Sequence, residues 1–260
     1  MICFSVFTLD LPSDEELEIF YKKFNENYHG GGRRSGSSKR QLRYARRYLM
    51  VLNSLSDNRE RIDSVLDVGA STSPFPNLAR AHGYRVTVMD IVRPKTLENN
   101  IGFIGGLIDQ EERMDLRNNF DAVTAWAVIE HCRYPLVAAK NLVSMCKPRG
   151  FIILTTPAVG KFGDKYALGY SPWYIPPEHL TLISPKGMEK IFNPLGAKII
   201  EFGTFEITRV RKMLRRMIGI GEGLPGLVIK KIAPDVWRRV QCRRASKIRE
   251  IHYFIIQKES

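Results

Sequence analysis

Short apolar runs alternate with segments of helical spacing through most of this chain, and the alternation becomes regular from about Ile62. Strands are predicted at 64–69, 85–90, about 101–105, 120–126 and 150–156, each a run of mainly apolar residues beside polar or turn residues. Helices are predicted over 75–82 and 135–147, the second stopped by Lys147-Pro148-Arg149-Gly150. A strand, helix, strand succession of this kind makes strands parallel and covers both faces of the sheet. Beyond Pro157 the period fades, and residues 157–183, rich in Gly, Pro and aromatics, read as a loop region over the active face. Ser184-Pro185 restarts a helix, with serine at the cap and proline at the first position, and that helix ends by Pro194.

Two further runs, Leu195 to Phe202 and Glu250 to Ile256, are joined by a long excursion and not by a crossover helix, so the sheet is expected to end antiparallel. The pattern therefore predicts an α/β fold with a doubly wound seven-stranded sheet, mostly parallel, whose last strand is antiparallel. Ahead of it, Ser13 with Glu16 three residues on is a capping signal for a helix carrying Leu17, Phe20, Tyr21 and Phe24. Gly30 to Ser38 is a basic, flexible loop by composition, and Lys39 to Leu55 is a second helix with Leu42, Ala45, Leu49 and Leu52 on one face. Residues 1–60 are thus expected to form an N-terminal helical extension and 61–260 the main domain, with a cap insertion at about 207–249.

Composition changes this picture in one respect. With 44% apolar and 26% charged residues the chain reads as an ordinary globular protein, but its net charge is +13. Half of the 40 cations fall in two stretches, seven from Arg33 to Arg47 and thirteen from Arg209 to Arg249, the latter opposed only by Glu222 and Asp235. Such clusters suit an anionic partner, whether phosphate, nucleic acid or an acidic membrane face, or form a solvated basic surface. Cys3, Cys132, Cys146 and Cys242 have neither disulfide-motif nor zinc spacing and read as free thiols of a reducing compartment. No run reaches the roughly 18 apolar residues of a membrane span, so the expected location is the cytoplasm, with peripheral contact to an anionic membrane as its one extension.

The chemistry is concentrated in Ser64 to Asp90. An apolar run ends in Gly69-Ala70-Ser71, a helical pattern follows, and the next apolar run ends on Asp90. Small residues let a ligand approach the backbone, and a carboxylate at the second strand end accepts hydrogen bonds from two ribose hydroxyls. This is the layout of a nucleoside-binding unit, although Asp90 would also serve as a helix cap. Ser71 and Ser73 stand where a dinucleotide fingerprint has its later glycines, which argues against a dehydrogenase.

Taken with Phe120-Asp121-Ala122-Val123, Val128-Ile129-Glu130-His131, Leu142 to Gly150 and Pro177-Glu178-His179-Leu180, this unit resembles the class I S-adenosylmethionine-dependent methyltransferases, in their small-molecule branch. The resemblance covers about residues 60–206 and the last strand, and implies a Rossmann-like domain that binds S-adenosyl-L-methionine. It implies cofactor contacts at Asp67, Gly69, Ala70, Ser71, Asp90, Ile91, Asp109 and Trp126, with Asp67 and the Gly69-Ala70 backbone at the methionine end and Asp90 at the ribose. Family spacing puts the adenine carboxylate at Asp109, with Asp115 as the competing candidate. Glu130, His131 and His179 are the catalytic candidates, the histidines as acid/base groups whose alternative role is structural. Some relatives, the ubiquinone O-methyltransferases and the RNA-terminal 2'-O-methyltransferases, bind a divalent metal through Glu-x-x-Glu-His; here the first position is Ala127, and although His179 could add a ligand in space, no metal is expected.

Trp126, Phe162, Tyr166, Tyr170, Trp173 and Tyr174 offer aromatic walls for shielding a direct methyl transfer from water, or local core. The expected acceptor is a small molecule or glycan, lipid- or phosphate-linked in one version, methylated on oxygen. An RNA or protein acceptor is the competing reading; it draws on the basic stretches but lacks an aromatic-rich basic platform. A catalytically silent binding module of the same fold is the third.

Overall fold

In the computed structural model of the chain, the described residues are 5–13, 15–17, 19–20, 37–58, 61–110, 113–159, 173–206 and 250–260. Residues 30–36 of the expected glycine-rich loop, the cap at 207–249 and the candidate aromatics Phe162, Tyr166 and Tyr170 lie outside them, while Ser37 and Ser38, read as the end of that loop, open a helix. The strands are β1 (Val6–Phe7), β2 (Ser64–Val68), β3 (Arg85–Asp90), β4 (Gly102–Gly105), β5 (Phe120–Trp126), β6 (Cys146–Pro157), β7 (Thr181–Leu182), β8 (Ala197–Glu206) and β9 (Glu250–Lys258). The helices are α1 (Ser37–Asn58), α2 (Phe75–Ala81), α3 (Pro135–Met145) and α4 (Pro185–Phe192). Near the start of the chain, Ser13 and Glu16 bond each other's backbone N–H groups, the reciprocal cap that the sequence signals.

The main sheet has seven strands in the order β4-β3-β2-β5-β6-β9-β8, with β2 to β6 parallel and β9 antiparallel to both neighbours. Period-two alternation distributes its side chains between two cores. Val65, Val88, Phe151 and Ile153 face α1 and α2, while Leu66, Met89, Ile152 and Leu154 face the layer of α3 and α4. Every residue of β2 is buried, as expected for a central strand covered on both sides.

Most boundaries fall within a few residues of the expectation, and two differences are larger. The strand predicted at 150–156 starts at Cys146, and α3 ends at Met145. The turn residues remain as an irregularity, since pairing with β5 jumps from Phe120↔Cys146 to Ala122↔Phe151. Gly150 is required there, because a Cβ on it would lie 2.7 Å from the Asp121 carbonyl oxygen and 2.8 Å from Cys146 Sγ. Lys258 Nζ closes the end of α3 by donating to the carbonyls of Val143 and Cys146 at 2.9 and 2.8 Å. The second difference is β7, inside the stretch read as loop. It pairs with β1 over two residues, too few to leave a periodic signal.

α1 is the element that matters most for the site. Ala45, Leu49, Leu52 and Leu55 bury one face of it beside Phe75 and Ala79 of α2, over the sheet. The polar N-terminal half then overhangs the C-terminal ends of β2 and β5. Leu52 has no exposed surface, so Leu52→Ala is expected to lower stability by about 2–5 kcal/mol. Chemical denaturation measures this, and a loss well under about 1 kcal/mol would show that α1 is not packed as described.

Candidate functional site

Parallel strands leave their C-terminal ends and following loops on one edge of the sheet, and here those loops enclose a cavity of about 500 Å³. Its lining includes Gly69, Ala70, Ser71, Asp90, Ile91, Asp109, Trp126 and His131 among the candidate residues. Asp67, Glu130 and His179 stand behind that wall.

The first loop is shaped by backbone conformation. Gly69 has φ +67°, and a Cβ on it would lie 2.7 Å from Val128 Cγ2, so glycine is required both by conformation and by space. Its N–H donates to the Met89 carbonyl at 2.8 Å, and Ser71 follows at φ +47°. Asp90 joins the two loops: Oδ2 accepts from the Ser71 N–H at 2.8 Å and Oδ1 from the Ile91 N–H at 2.7 Å. At the next loop, Asp109 Oδ2 accepts the backbone N–H groups of Arg133 and Tyr134 at 2.8 and 3.2 Å, which fixes the entry to α3. Asp115, the alternative to Asp109, is exposed, pairs with Arg113 at 2.9 Å and does not line the cavity.

Asp67 is fully buried, and Thr124 Oγ1 donates to its Oδ1 at 2.5 Å. Burial pushes its carboxyl up to about 8, against the pull of Thr124 and with a further push from the charge of Asp90.

The roof comes from α1. Tyr48 lies face to face with Trp126, ring centroids 3.8 Å apart and planes 4° apart, and Phe75 meets Trp126 edge-on at 5.2 Å. Gln41 Nε2 donates to Thr72 Oγ1 at 2.8 Å, and Gln41, Tyr44 and Tyr48 all line the cavity. None of these three is among the residues singled out from the sequence. The available signal was the i, i+4 spacing of Tyr44 and Tyr48 next to the apolar face Ala45, Leu49 and Leu52.

At the opposite end, the short turn Ile129–His131 meets residues 173–180. The Leu180 N–H donates to the Glu130 carbonyl at 2.8 Å. His131 Nδ1 bonds the Glu178 carbonyl at 2.6 Å, His179 Nδ1 bonds the Trp173 carbonyl at 2.6 Å, and the two rings stand 4.8 Å apart at 72°. Burial is the main reason that both imidazoles titrate low, His131 at about 4, with the proximity of His179 adding to the depression there. Glu130 is fully buried beside them, and burial lifts its carboxyl to about 8. This end of the cavity therefore presents the neutral, proton-accepting imidazole of His131, with His179 packed behind it.

A family model described as a methyltransferase domain matches residues 38–201. The chain belongs to this methyltransferase family. The matched segment takes in nearly all of α1, so the helix that roofs the cavity is part of the methyltransferase domain. No curated protein sequence matches the chain. Among solved structures of similar fold are a 1,6-didemethyltoxoflavin N1-methyltransferase of Burkholderia thailandensis (11% identity, covering 97% of this chain and 94% of that one, TM-score 0.57). Another is a SAM-dependent methyltransferase of Archaeoglobus fulgidus (16% identity, 92% and 100% covered, TM-score 0.56). A third is a sarcosine dimethylglycine methyltransferase, so named provisionally, of Galdieria sulphuraria (16% identity, 84% and 86% covered, TM-score 0.55). The methyl donor of the family is S-adenosylmethionine, as the sequence resemblance implies.

Two expectations follow for this methyltransferase. Gly69→Ala places a methyl group in a left-handed conformation against Val128, at a cost of about 1–3 kcal/mol. Thermal melting should register that loss together with weakened binding of S-adenosylhomocysteine, whereas wild-type values for both would refute the close approach. The second concerns pH. The folded Asp67 carboxyl titrates near 8 against about 3.9 unfolded, so between these values the native protein keeps a proton that the unfolded chain loses. Its contribution is full below about pH 4 and is lost as pH rises to 8, at up to about 1.4 kcal/mol per pH unit. Asp67→Asn should therefore flatten the decline of the melting temperature between about pH 6 and pH 8; an unaltered slope would place the titration elsewhere.

Proposed function

We propose that the chain transfers a methyl group from S-adenosylmethionine to an oxygen atom of a small molecule or glycan. The observation that carries this reading is the layout of the cavity: Asp90 and Asp109 line one part of it and His131 another. Adenosine is assigned to the first part, with Asp90 and Ile91 toward the ribose and Asp109 toward the adenine. The Gly69-Ala70-Ser71 backbone is assigned to the methionine end, below Tyr48 and Trp126. About 500 Å³ suits a ligand of this size, since such pockets run to roughly 300–1,000 Å³.

Methyl transfer is a direct displacement at a sulfonium carbon, so alignment and exclusion of water account for most of what the protein must do. The Tyr48–Trp126 stack and the Gln41–Thr72 hydrogen bond hold α1 over the cavity for that purpose. An alcohol must also lose its proton as the oxygen becomes an ether. The His131 imidazole, which lines the cavity and is neutral at physiological pH, is assigned to take that proton, with His179 beside it as the second acid/base candidate. Among the described residues no helix is long and apolar enough to cross a membrane.

Calorimetry tests the cofactor assignment. S-adenosylhomocysteine should bind with one-to-one stoichiometry, and Asp90→Ala should weaken it at least about tenfold, the loss expected for hydrogen bonds to a charged group; no binding to fresh wild-type protein would sink the reading. His131→Ala should lower turnover on the cognate acceptor by about 10²-fold while cofactor affinity stays near wild type. Unaltered turnover would return His131 to a structural role. A screen with labelled methyl donor over alcohols, glycans, quinone precursors and RNA identifies the acceptor, and labelled RNA as the sole product would replace the small-molecule assignment.

A further inference from the structure

Asn141 stands on the buried face of α3 with Ala138, Leu142 and Met145, a position where helical spacing calls for an apolar side chain. It is 1% exposed, and its side-chain nitrogen donates to the carbonyls of Ile108 and Gln110 at 2.8 and 3.1 Å. A carbonyl can only accept, so both amide donors are committed to the loop after β4. The amide oxygen is buried as well and has no hydrogen-bond partner among the described residues. An unpaired oxygen costs stability that a leucine of similar volume would not. What this amide contributes therefore comes from the loop that its nitrogen holds.

Between the two carbonyls lies Asp109. Its Oδ2 accepts the N–H groups of Arg133 and Tyr134, and no hydrogen bond occupies Oδ1 among the described residues. The start of the loop is held separately, by the Gly106 N–H donating to the Asp90 carbonyl at 3.1 Å. α3 thus grips residues 108–110 twice, at its entry through Asp109 and further along through Asn141. The bond to Ile108 fixes the peptide plane leading into Asp109, and the bond to Gln110 fixes the plane leading out of the next residue.

We propose that Asn141 is a positioning residue for nucleobase selection. By holding the loop on both sides of Asp109 it directs Oδ1 toward the exocyclic amino group of adenine, a role that rests on the assignment of adenine to Asp109. A carboxylate oxygen selects a base that offers a donor, and the hydrogen bond weakens steeply when its angle is lost. Asn141 therefore governs the choice of a 6-aminopurine without touching it.

The experiment titrates full-length protein calorimetrically with S-adenosylhomocysteine and with its 6-deamino analogue, which has hydrogen in place of the amino group. Wild type should prefer S-adenosylhomocysteine by at least about tenfold, as expected for a hydrogen bond to a charged group. Asn141→Leu should weaken S-adenosylhomocysteine about tenfold while the analogue stays within about twofold of wild type, so that the preference collapses. Asn141→Ala should give the same collapse and covers the case in which leucine distorts α3. A purely structural role would weaken both ligands alike. Asp109→Asn can still accept from Arg133 and Tyr134 but turns an NH2 group toward the base, and it should abolish the preference; adding Asn141→Leu to it should remove nothing further. Three results would overturn the positioning role and leave adenine at Asp109: an unaltered preference in both Asn141 variants, equal weakening of both ligands, or a further loss in the double variant. Absence of a preference in wild type, or a preference that survives Asp109→Asn, would overturn the adenine assignment and the role of Asn141 with it.

Discussion

Burial of ionisable groups at the C-terminal edge of the sheet is the constraint on which this site depends. Asp67 and Glu130 are fully buried and titrate near 8, while His131 is held neutral to about 4. Burial sets the direction of each shift, by disfavouring the charged form of the group. Asp67 lies at the C-terminal end of β2, and Glu130 and His131 follow β5; these are central parallel strands whose ends are enclosed by loops. The same enclosure that shields methyl transfer from water is what perturbs these groups.

The cavity wall is stabilised by hydrogen bonds between loops more than by any one loop's own conformation. Asp90 ties the turn after β2 to the end of β3, Asp109 ties the loop after β4 to the entry of α3, and the Glu130 and His131 turn is bonded to residues 178–180. Carboxylates that accept backbone N–H groups already have the orientation in which they would meet a ligand's hydroxyl or amino group, so little ordering is left for binding to impose. The roof follows a different logic. α1 is anchored by Ala45, Leu49 and Leu52 on the sheet, and from that anchor Tyr48 reaches Trp126.

Much of the fold was legible in the chain. Five parallel strands, the helices between them and the antiparallel ending follow from apolar runs, turn residues and a sequence without a crossover-helix pattern between the last two apolar runs. The errors arose where a local signal was too short or was overruled. β7 pairs over two residues and leaves no period, and Pro148-Arg149-Gly150 stops a helix without stopping the strand, because β5 continues to pair around the irregularity. Of the site, the residues on strand ends were legible because position along a βα unit predicts them. Asp109 and Asp115 could not be separated by spacing, since the difference lies in which one faces the cavity and which one pairs with Arg113 on the surface.

The sequence by itself determined the alternation of elements, the nucleoside-binding unit from Ser64 to Asp90 and the membership of a methyltransferase branch, because these are local patterns repeated at short range. Only the tertiary structure decided that α1 roofs the cavity, that Asp67, Glu130 and His179 lie behind its wall, and that His131 and His179, far apart in the chain, stand with their rings 4.8 Å apart. Burial, hydrogen-bond partners and the resulting titration are properties of what folds around a residue. A carboxylate that reads as an ordinary acid in the chain holds its proton to higher pH once the strand ends close over it.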